Sequence, residues 1–498
     1  MKTLKSVMLV ISVATTLISC HSGTSTNEIK GVWVATEETA LKYPHGTQKG
    51  VLQIGQDQDG ELTARGVFLW NDEYMKEWEL VDIDYDHLTH QITIVDSDGD
   101  MYEGLLDAER KKISGSVHLQ NNKKDLLDFI PADENLKTVL FYPRIPDTNG
   151  EVNYSYKIPE QLDDGLQTFS INNTVIDSES VIGLINEIID QEYGRLESLL
   201  ILKDNKLIVE EYFYGYNRTH LHPIHSCTKS ITSLLIGIAL EQHKSVQVDQ
   251  GIFSFFPKYD SLKTREKESI NLKHILTMTA GFEWNEFPGE MYETGDWFQY
   301  ILDRPMENKP GEKFHYNSGC TILLGGVINF LEGKHANIYA DEYLFAPLGI
   351  SEYLWETHKN GTPQCGGGLH LLPRDMAKIG LLVLNDGRWQ NEQIVSEKWI
   401  RESTIPRVPE SNFFDYGYQW WHRSKNNQQW WEDSIIDVKD EHDMIFALGT
   451  GGQLIIIVKD LSLVVVTTAS DYDTDSSVVS KVAMAIEKII PLITNVKL

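Results

Sequence analysis

Residues 220–243, "HLHPIHSCTKSITSLLIGIALEQH", decide how the rest of the chain is read. Their start spaces His220, His222 and His225 as a metal site would, and their centre sets Ser226 three residues before Lys229, as an acylating serine hydrolase would. Beyond it, Ile231, Leu234, Leu235 and Ile238 recur at helical spacing, which predicts a helix with one apolar face opening at this turn. Positions three apart on a helix share a face, with Cβ atoms about 5–6 Å apart, so the hydroxyl and the amine would point into the same space. A serine hydroxyl is a weak nucleophile until a base takes its proton, and a lysine serves when burial lowers its pKa towards neutrality. The opening turn of a helix adds unpaired N–H groups and a positive dipole end, both favourable to an oxyanion. Ser-x-x-Lys occurs nowhere else in the chain.

The histidines compete for the same stretch. They echo the His-x-His-x-Asp-His run of metallohydrolases, but Ile224 stands where the aspartate would be, Pro223 constrains the run, and no downstream ligand set matches it. The other reading is a lead-in loop of solvated or packed histidines, bordering the pocket mouth. No metal and no cofactor is therefore expected.

Two further stretches fit the Ser-Lys reading. In "PGEKFHYNSGCTILLGGVI" (310–328), Tyr316 stands just ahead of an apolar helix, where its hydroxyl would relay a proton to a leaving group. In "FALGTGGQLIIIV" (446–458), Gly449, Gly451 and Gly452 open a strand edge on which a substrate can lie and a backbone N–H can meet its oxyanion. A mere bulge is the alternative. The segment "CGGGLHLLPRDMAKIG" (365–380) carries Gly366 to Gly368, a loop expected to demand glycine conformations and to shape a pocket wall. Tyr418, Trp420, Trp421, Trp430 and Trp431 divide between strand core and the wall of an acyl-binding cleft.

With 498 residues the chain exceeds one ordinary core, and 41% hydrophobic with 10% aromatic residues is a folded composition. A formal charge of −29 excludes nucleic acid as a natural partner and disfavours anionic lipid. Lys2 and Lys5 precede an apolar run from Val7 to Ile18, too short to span a bilayer but right for a secretory signal. It ends in "LISC", which resembles a bacterial lipobox and implies lipidation at Cys20, hence an exported, membrane-anchored lipoprotein facing the periplasm or cell surface. A plain signal peptide with an incidental cysteine is the alternative. Cys227, Cys320 and Cys365 remain, an odd number that cannot form a full disulfide framework; buried fillers are the simpler reading than one bridge.

The expected organisation is a signal and tether over 1–26, a small antiparallel β barrel or sandwich over 27–150, and an α+β hydrolase unit over 151–498. Short alternating runs such as "GVWVAT", "LTARGVFLW" and "ITIVDS" support the first domain, with "DSDGD" (96–100) as a hairpin turn because it lacks the bidentate Glu of a calcium loop. Polar residues and Pro131, Pro143, Pro146 and Pro159 mark the boundary. Hairpins at "SLLILKD"/"NKLIVEEYFYG" and "GGQLIIIV"/"LSLVVVTTAS", with helical patterns between them, predict one antiparallel sheet flanked by helices, plus a helical region.

"SCTKS", "HILTMTAGFEW", "PGEKFHYNSGCTILLGG", "LFAPLGI", "GGGLHLLPRDMAKIG", "YGYQWW" and "ALGTGGQ" follow one another in the order found in the serine β-lactamase and penicillin-recognising superfamily. They are most similar to its class C related branch of esterases, D-alanyl peptidases and 6-aminohexanoate-dimer hydrolases, over roughly residues 155–490. The resemblance implies Ser226 as nucleophile, Lys229 as base, Tyr316 as proton relay, and the N–H groups of Ser226 and Thr450 as oxyanion donors. Ser318 would take the place of the usual amide side chain of the second motif, and Gly449, Gly451, Gly367 and Trp421 would border the substrate. The third motif, read as Ala447-Leu448-Gly449 or Gly449-Thr450-Gly451, lacks the cation that meets a substrate carboxylate in β-lactamases and transpeptidases. The expected activity is hydrolysis of a small-molecule ester or amide through an acyl-enzyme. The competing reading is an envelope binding protein that keeps the pocket without the chemistry.

Overall fold

The computed structural model describes residues 28–494, apart from 37, 44–45, 57–60, 71–72, 79, 119–123, 133–139, 148–150, 175, 287, 410–413, 426–441 and 473–475. Cys20 with the rest of segment 1–26, and Trp430 and Trp431, lie outside the described residues. The chain forms two compact units divided near residue 133. Among the described residues no helix is long and apolar enough to cross a membrane.

The first unit is a ten-stranded antiparallel sheet, from Gly31–Ala35 to Lys124–Pro131, that curls into a nearly closed barrel. Alternation explains it: Ile92 and Ile94 point inward with Trp33, Leu52, Ile113 and Phe129, while their neighbours face water. Gly104 and Gly115 face each other across two strands because the Tyr102 ring passes over them; a Cβ on either would lie 2.6 Å from its oxygen. "DSDGD" is a hairpin turn closed by Asp96, whose carboxylate accepts the N–H groups of Asp98 and Asp100.

The second unit is built on a nine-stranded sheet. Its central strands run in the spatial order Lys206–Tyr212, Leu196–Lys203, Leu463–Ala469, Gln453–Val458 and Met444–Gly449. The two expected hairpins are both present and meet where Leu200 pairs with Val466. These strands are apolar almost without interruption because both faces are covered. Leu200, Leu202, Ile455, Ile457, Val464 and Val466 pack on one side, under the helices Cys227–Gln242, Ser318–Glu332 and Pro373–Leu384; Leu199, Ile201, Leu454, Ile456 and Val465 pack on the other, with Ser178–Ile189 and the C-terminal helices.

The Cys227–Gln242 helix departs from the expected single apolar face: every residue from Cys227 to Ala239 is buried. It threads between the sheet and other helices, so Ser230, Thr232 and Ser233 need internal partners. Ser230 and Thr232 donate to the carbonyls of Gln419 and Cys365; the Ser233 carbonyl accepts the Trp399 indole N–H, but the Ser233 hydroxyl itself is buried without a partner among the described residues.

The segment leading into this helix is pinned by charge. His222 sits 3.0 Å from buried Glu197, which also accepts the Ser470 hydroxyl and lies in the field of Arg195. Removing one member of a buried charged set leaves the others desolvated and uncompensated. Glu197→Ala is therefore expected to cost about 3–5 kcal/mol in unfolding free energy, measured by urea denaturation.

Candidate active site

Ser226 stands at the first turn of the Cys227–Gln242 helix, with φ −66° and ψ −9°, and its side chain makes no capping bond. The preceding residue, His225, is in the left-handed region at φ 45°, a strained corner that sets the serine at the helix mouth. Ser226 is half-buried, so its hydroxyl is reachable. Lys229 Nζ lies 2.9 Å from Ser226 Oγ and also donates to the Gly366 carbonyl. The lysine is 2% exposed, and burial pulls its pKa down to about 8 against the opposing field of Glu286. An amine so placed is neutral in a minor but useful fraction of molecules near pH 7, about a tenth, and that form can accept the serine proton.

Tyr316 comes from the turn ahead of the Ser318–Glu332 helix, whose N-terminus is capped by Asn317 through the Cys320 N–H. Its ring centre lies 4.7 Å from Lys229 Nζ and stacks on Trp421 at 5.9 Å and 22°. Burial holds the phenol's pKa well above the ordinary value, while the neighbouring Ser226 side chain acts to lower it. Tyr316 therefore keeps its proton, and of the two neighbours of Ser226 Lys229 is the one able to accept one.

The Met444–Gly449 strand ends against the same corner. A Cβ at Gly449 would lie 2.5 Å from the Ile224 carbonyl, an approach that glycine alone permits. Thr450 follows, exposed, before Gly451 and Gly452 at φ 82° and 98°. Among the described residues no protein acceptor meets the N–H of Ser226 or of Thr450. Two free donors on adjoining turns suit an oxyanion.

The structure thus brings together Ser226, Lys229, Tyr316, Trp421 and Gly449, whereas other candidates are differently engaged. Ser318 is buried and gives its N–H and hydroxyl to Glu286, both at 2.7 Å, instead of turning into the cleft. Gly451 packs under Tyr472, where a Cβ would lie 2.5 Å from the ring. Gly367 borders the nucleophile turn, 3.8 Å from the His225 carbonyl carbon by its Cβ direction. The glycines at 366–368 do not adopt the special conformations expected of them; none has a positive φ. Glycine is required there for closeness, since a Cβ at Gly366 would lie 3.0 Å from that of Ser318. Tyr418 and Trp420 belong to the core, and only Trp421 of the described tryptophan pair faces Tyr316.

The three histidines do not share one centre. His222 pairs with Glu197 and packs against the His220 ring at 5.2 Å, His220 also lies edge-on to Tyr216, and His225 meets the Tyr472 hydroxyl at 3.0 Å. Burial pushes His225 down to about 4, so it stays neutral. Among the described residues no group of three or more His, Cys, Asp or Glu side chains is placed to hold a metal ion. Cys227, Cys320 and Cys365 are free and buried, and burial raises the pKa of all three thiols.

Sequence reasoning missed three residues. Gln364 accepts the Gly366 N–H at 2.7 Å and so orients the carbonyl that holds Lys229. Tyr472 bridges His225 and the Gly451 turn. Glu286 receives Ser318 and the Trp284 indole. Only Glu286 left a trace: a small hydroxyl at the amide position of the second motif leaves room for another group.

The Beta-lactamase family model matches residues 192–485. A 6-aminohexanoate-dimer hydrolase of Paenarthrobacter ureafaciens is 21% identical over 300 residues, spanning 56% of this chain and 74% of its own. A Salmonella typhi protein named "Putative D-alanyl-D-alanine carboxypeptidase" is 22% identical over 308 residues, 48% of this chain and 71% of its own. Among solved structures, "Putative 6-aminohexanoate-dimer hydrolase from Bacillus anthracis" superposes with a TM-score of 0.52 at 19% identity, over 63% of this chain and 83% of that one. That superposition shows the fold of the second unit: a sheet flanked by helices with a helical region beside it.

Proposed function

The chain belongs to the Beta-lactamase family, and from that premise we propose that it is a serine hydrolase acting on an ester or simple amide through an acyl-enzyme at Ser226. The observation that carries the reading is a buried Lys229 amine 2.9 Å from a reachable Ser226 hydroxyl, beside two unengaged N–H donors. Neutral Lys229 takes the hydroxyl proton as Ser226 Oγ bonds to the substrate carbonyl carbon. The oxygen that becomes negative meets the Ser226 and Thr450 N–H groups. Collapse of the tetrahedral adduct breaks the bond to the leaving group, which departs with a proton relayed through Tyr316, and water then hydrolyses the acyl-serine by the reverse sequence.

A fluorophosphonate probe tests this directly. It is expected to add one label, mapped by mass spectrometry to the peptide bearing Ser226; an unlabelled protein would mark a binding module instead. Substrates bearing a carboxylate beside the reacting carbonyl are expected to be poor, because residues 447–450 supply no cation. Loss of the Tyr472 hydroxyl should loosen the two oxyanion turns against each other: Tyr472→Phe is expected to lower kcat about three- to tenfold with little change in KM, the weight of one neutral hydrogen bond. The lysines at 2 and 5, the apolar run and Cys20 support an exported, lipid-anchored form, which metabolic labelling with palmitate would detect.

A further inference from the structure

Beneath the turn that carries the Thr450 N–H lies a buried ion pair. Lys481, on the helix Ser476–Met484, is fully buried, and its amine donates to the largely buried Asp471 carboxylate. Glycines of two separate turns make room for the pair. A Cβ at Gly194 would lie 2.3 Å from Asp471 Oδ2 and 3.1 Å from Lys481 Nζ, and a Cβ at Gly452 would lie 3.1 Å from Lys481 Cε. The lysine stem is thus the floor on which Gly452 rests. Asp471 holds the residue before it, because its backbone N–H donates to the Gly451 carbonyl at 3.2 Å. The Thr467 hydroxyl adds a bond of 2.8 Å to the Gly452 carbonyl.

These contacts fix a direction. The Gly449 carbonyl accepts the Gly452 N–H at 3.3 Å, and in a trans peptide the N–H of the next residue points opposite to that carbonyl. The seat of Gly452 therefore sets the aim of the Thr450 N–H. Apolar side chains of equal volume would fill the space of the ion pair with little loss of stability. They would lack the charge-assisted contact that keeps the lysine stem in one place. The residues after the Leu463–Ala469 strand extend the same brace: Ser470 donates to Glu197, Asp471 takes Lys481, and Tyr472 meets His225.

We propose that Lys481 and Asp471 are positioning residues for acyl transfer: their pair holds the Gly451–Gly452 turn so that the Thr450 N–H meets the oxygen that becomes negative. This rests on the hydrolase reading, and the test keeps the two apart. Asp471→Asn keeps the side-chain shape, and a lysine left buried without its carboxylate can go neutral instead of unfolding the chain. Lys481→Met removes the amine and keeps much of the stem. With p-nitrophenyl butyrate, kcat is expected to fall about three- to tenfold in the first variant and about ten- to a hundredfold in the second, with KM within about threefold. Both stay short of the roughly 10²- to 10³-fold of an oxyanion donor lost outright. n-Butylboronic acid, which bonds a serine oxygen as a tetrahedral anion, reads the same site without turnover, and its Ki should rise by a like factor. Urea unfolding checks the fold, and Lys481→Met/Asp471→Asn, which leaves no charge of the pair unmatched, takes the place of Lys481→Met if that variant does not fold. Rates and Ki within about twofold of the unaltered protein would overturn the proposal. So would a loss confined to KM with Ki unchanged, which marks packing alone, or a shifted acid limb of the pH profile, which places the effect at Lys229. In each of these cases the hydrolase reading stands. If the unaltered protein neither cleaves the ester, binds the boronate nor labels with fluorophosphonate, the hydrolase reading falls and the positioning role with it.

Discussion

Ser226→Ala is expected to remove esterase or amidase turnover by roughly 10⁴- to 10⁶-fold, the range seen when a covalent nucleophile is deleted, while the protein stays folded. The fold prediction follows from geometry: Ser226 is half-buried, caps nothing with its side chain, and gives up only its contacts with Lys229 and Tyr316. Steady-state kinetics with an activated ester measures the first part, and circular dichroism with urea unfolding measures the second. Residual activity within tenfold of the unaltered protein would remove Ser226 from the reaction. The variant should also fail to label with fluorophosphonate, since among the described residues Ser226 is the one hydroxyl bonded to the Lys229 amine.

Lys229 carries the second large effect. With a pKa near 8, the amine is mostly protonated below that pH and cannot accept the serine proton; above it, the base is present. The rate is therefore expected to climb about tenfold per pH unit on the acid side and to level off above about 8. Lys229→Met, close in volume and uncharged, should cost about 10²- to 10⁴-fold and abolish that limb of the profile. Tyr316→Phe should lower the rate but leave the limb in place, because the phenol holds its proton throughout this range. A profile that keeps its acid limb in Lys229→Met would assign the titration to another group.

Much of this was legible in the chain for a physical reason. Ser226 and Lys229 are local on one helix turn, and both hairpins announce themselves by long apolar runs, β-branched in the second. Tyr316 was legible because it precedes an apolar helix with its own cap. Tertiary effects were hidden. The Cys227–Gln242 helix looked one-sided because Ser230, Thr232 and Ser233 are polar, yet the fold buries all three, giving distant acceptors to Ser230 and Thr232 alone. Glycines 366–368 suggested unusual dihedrals, whereas Gly366 and Gly368 serve close packing that only the folded neighbours reveal. Glu286 and Tyr472 sit in stretches with no pattern of their own and acquire meaning from what folds against them.

The pairing of Leu200 with Val466 bears on when the enzyme comes alive. The strand holding Leu200 leaves the ribosome long before its neighbour, and the Gly449–Gly452 turn emerges only just ahead of that neighbour. Closure of so long a loop is the slow event in folding such a topology. On the proposed mechanism a growing polypeptide would possess its nucleophile early but lack half of the place for a negative oxygen, and would stay chemically silent until synthesis is nearly over.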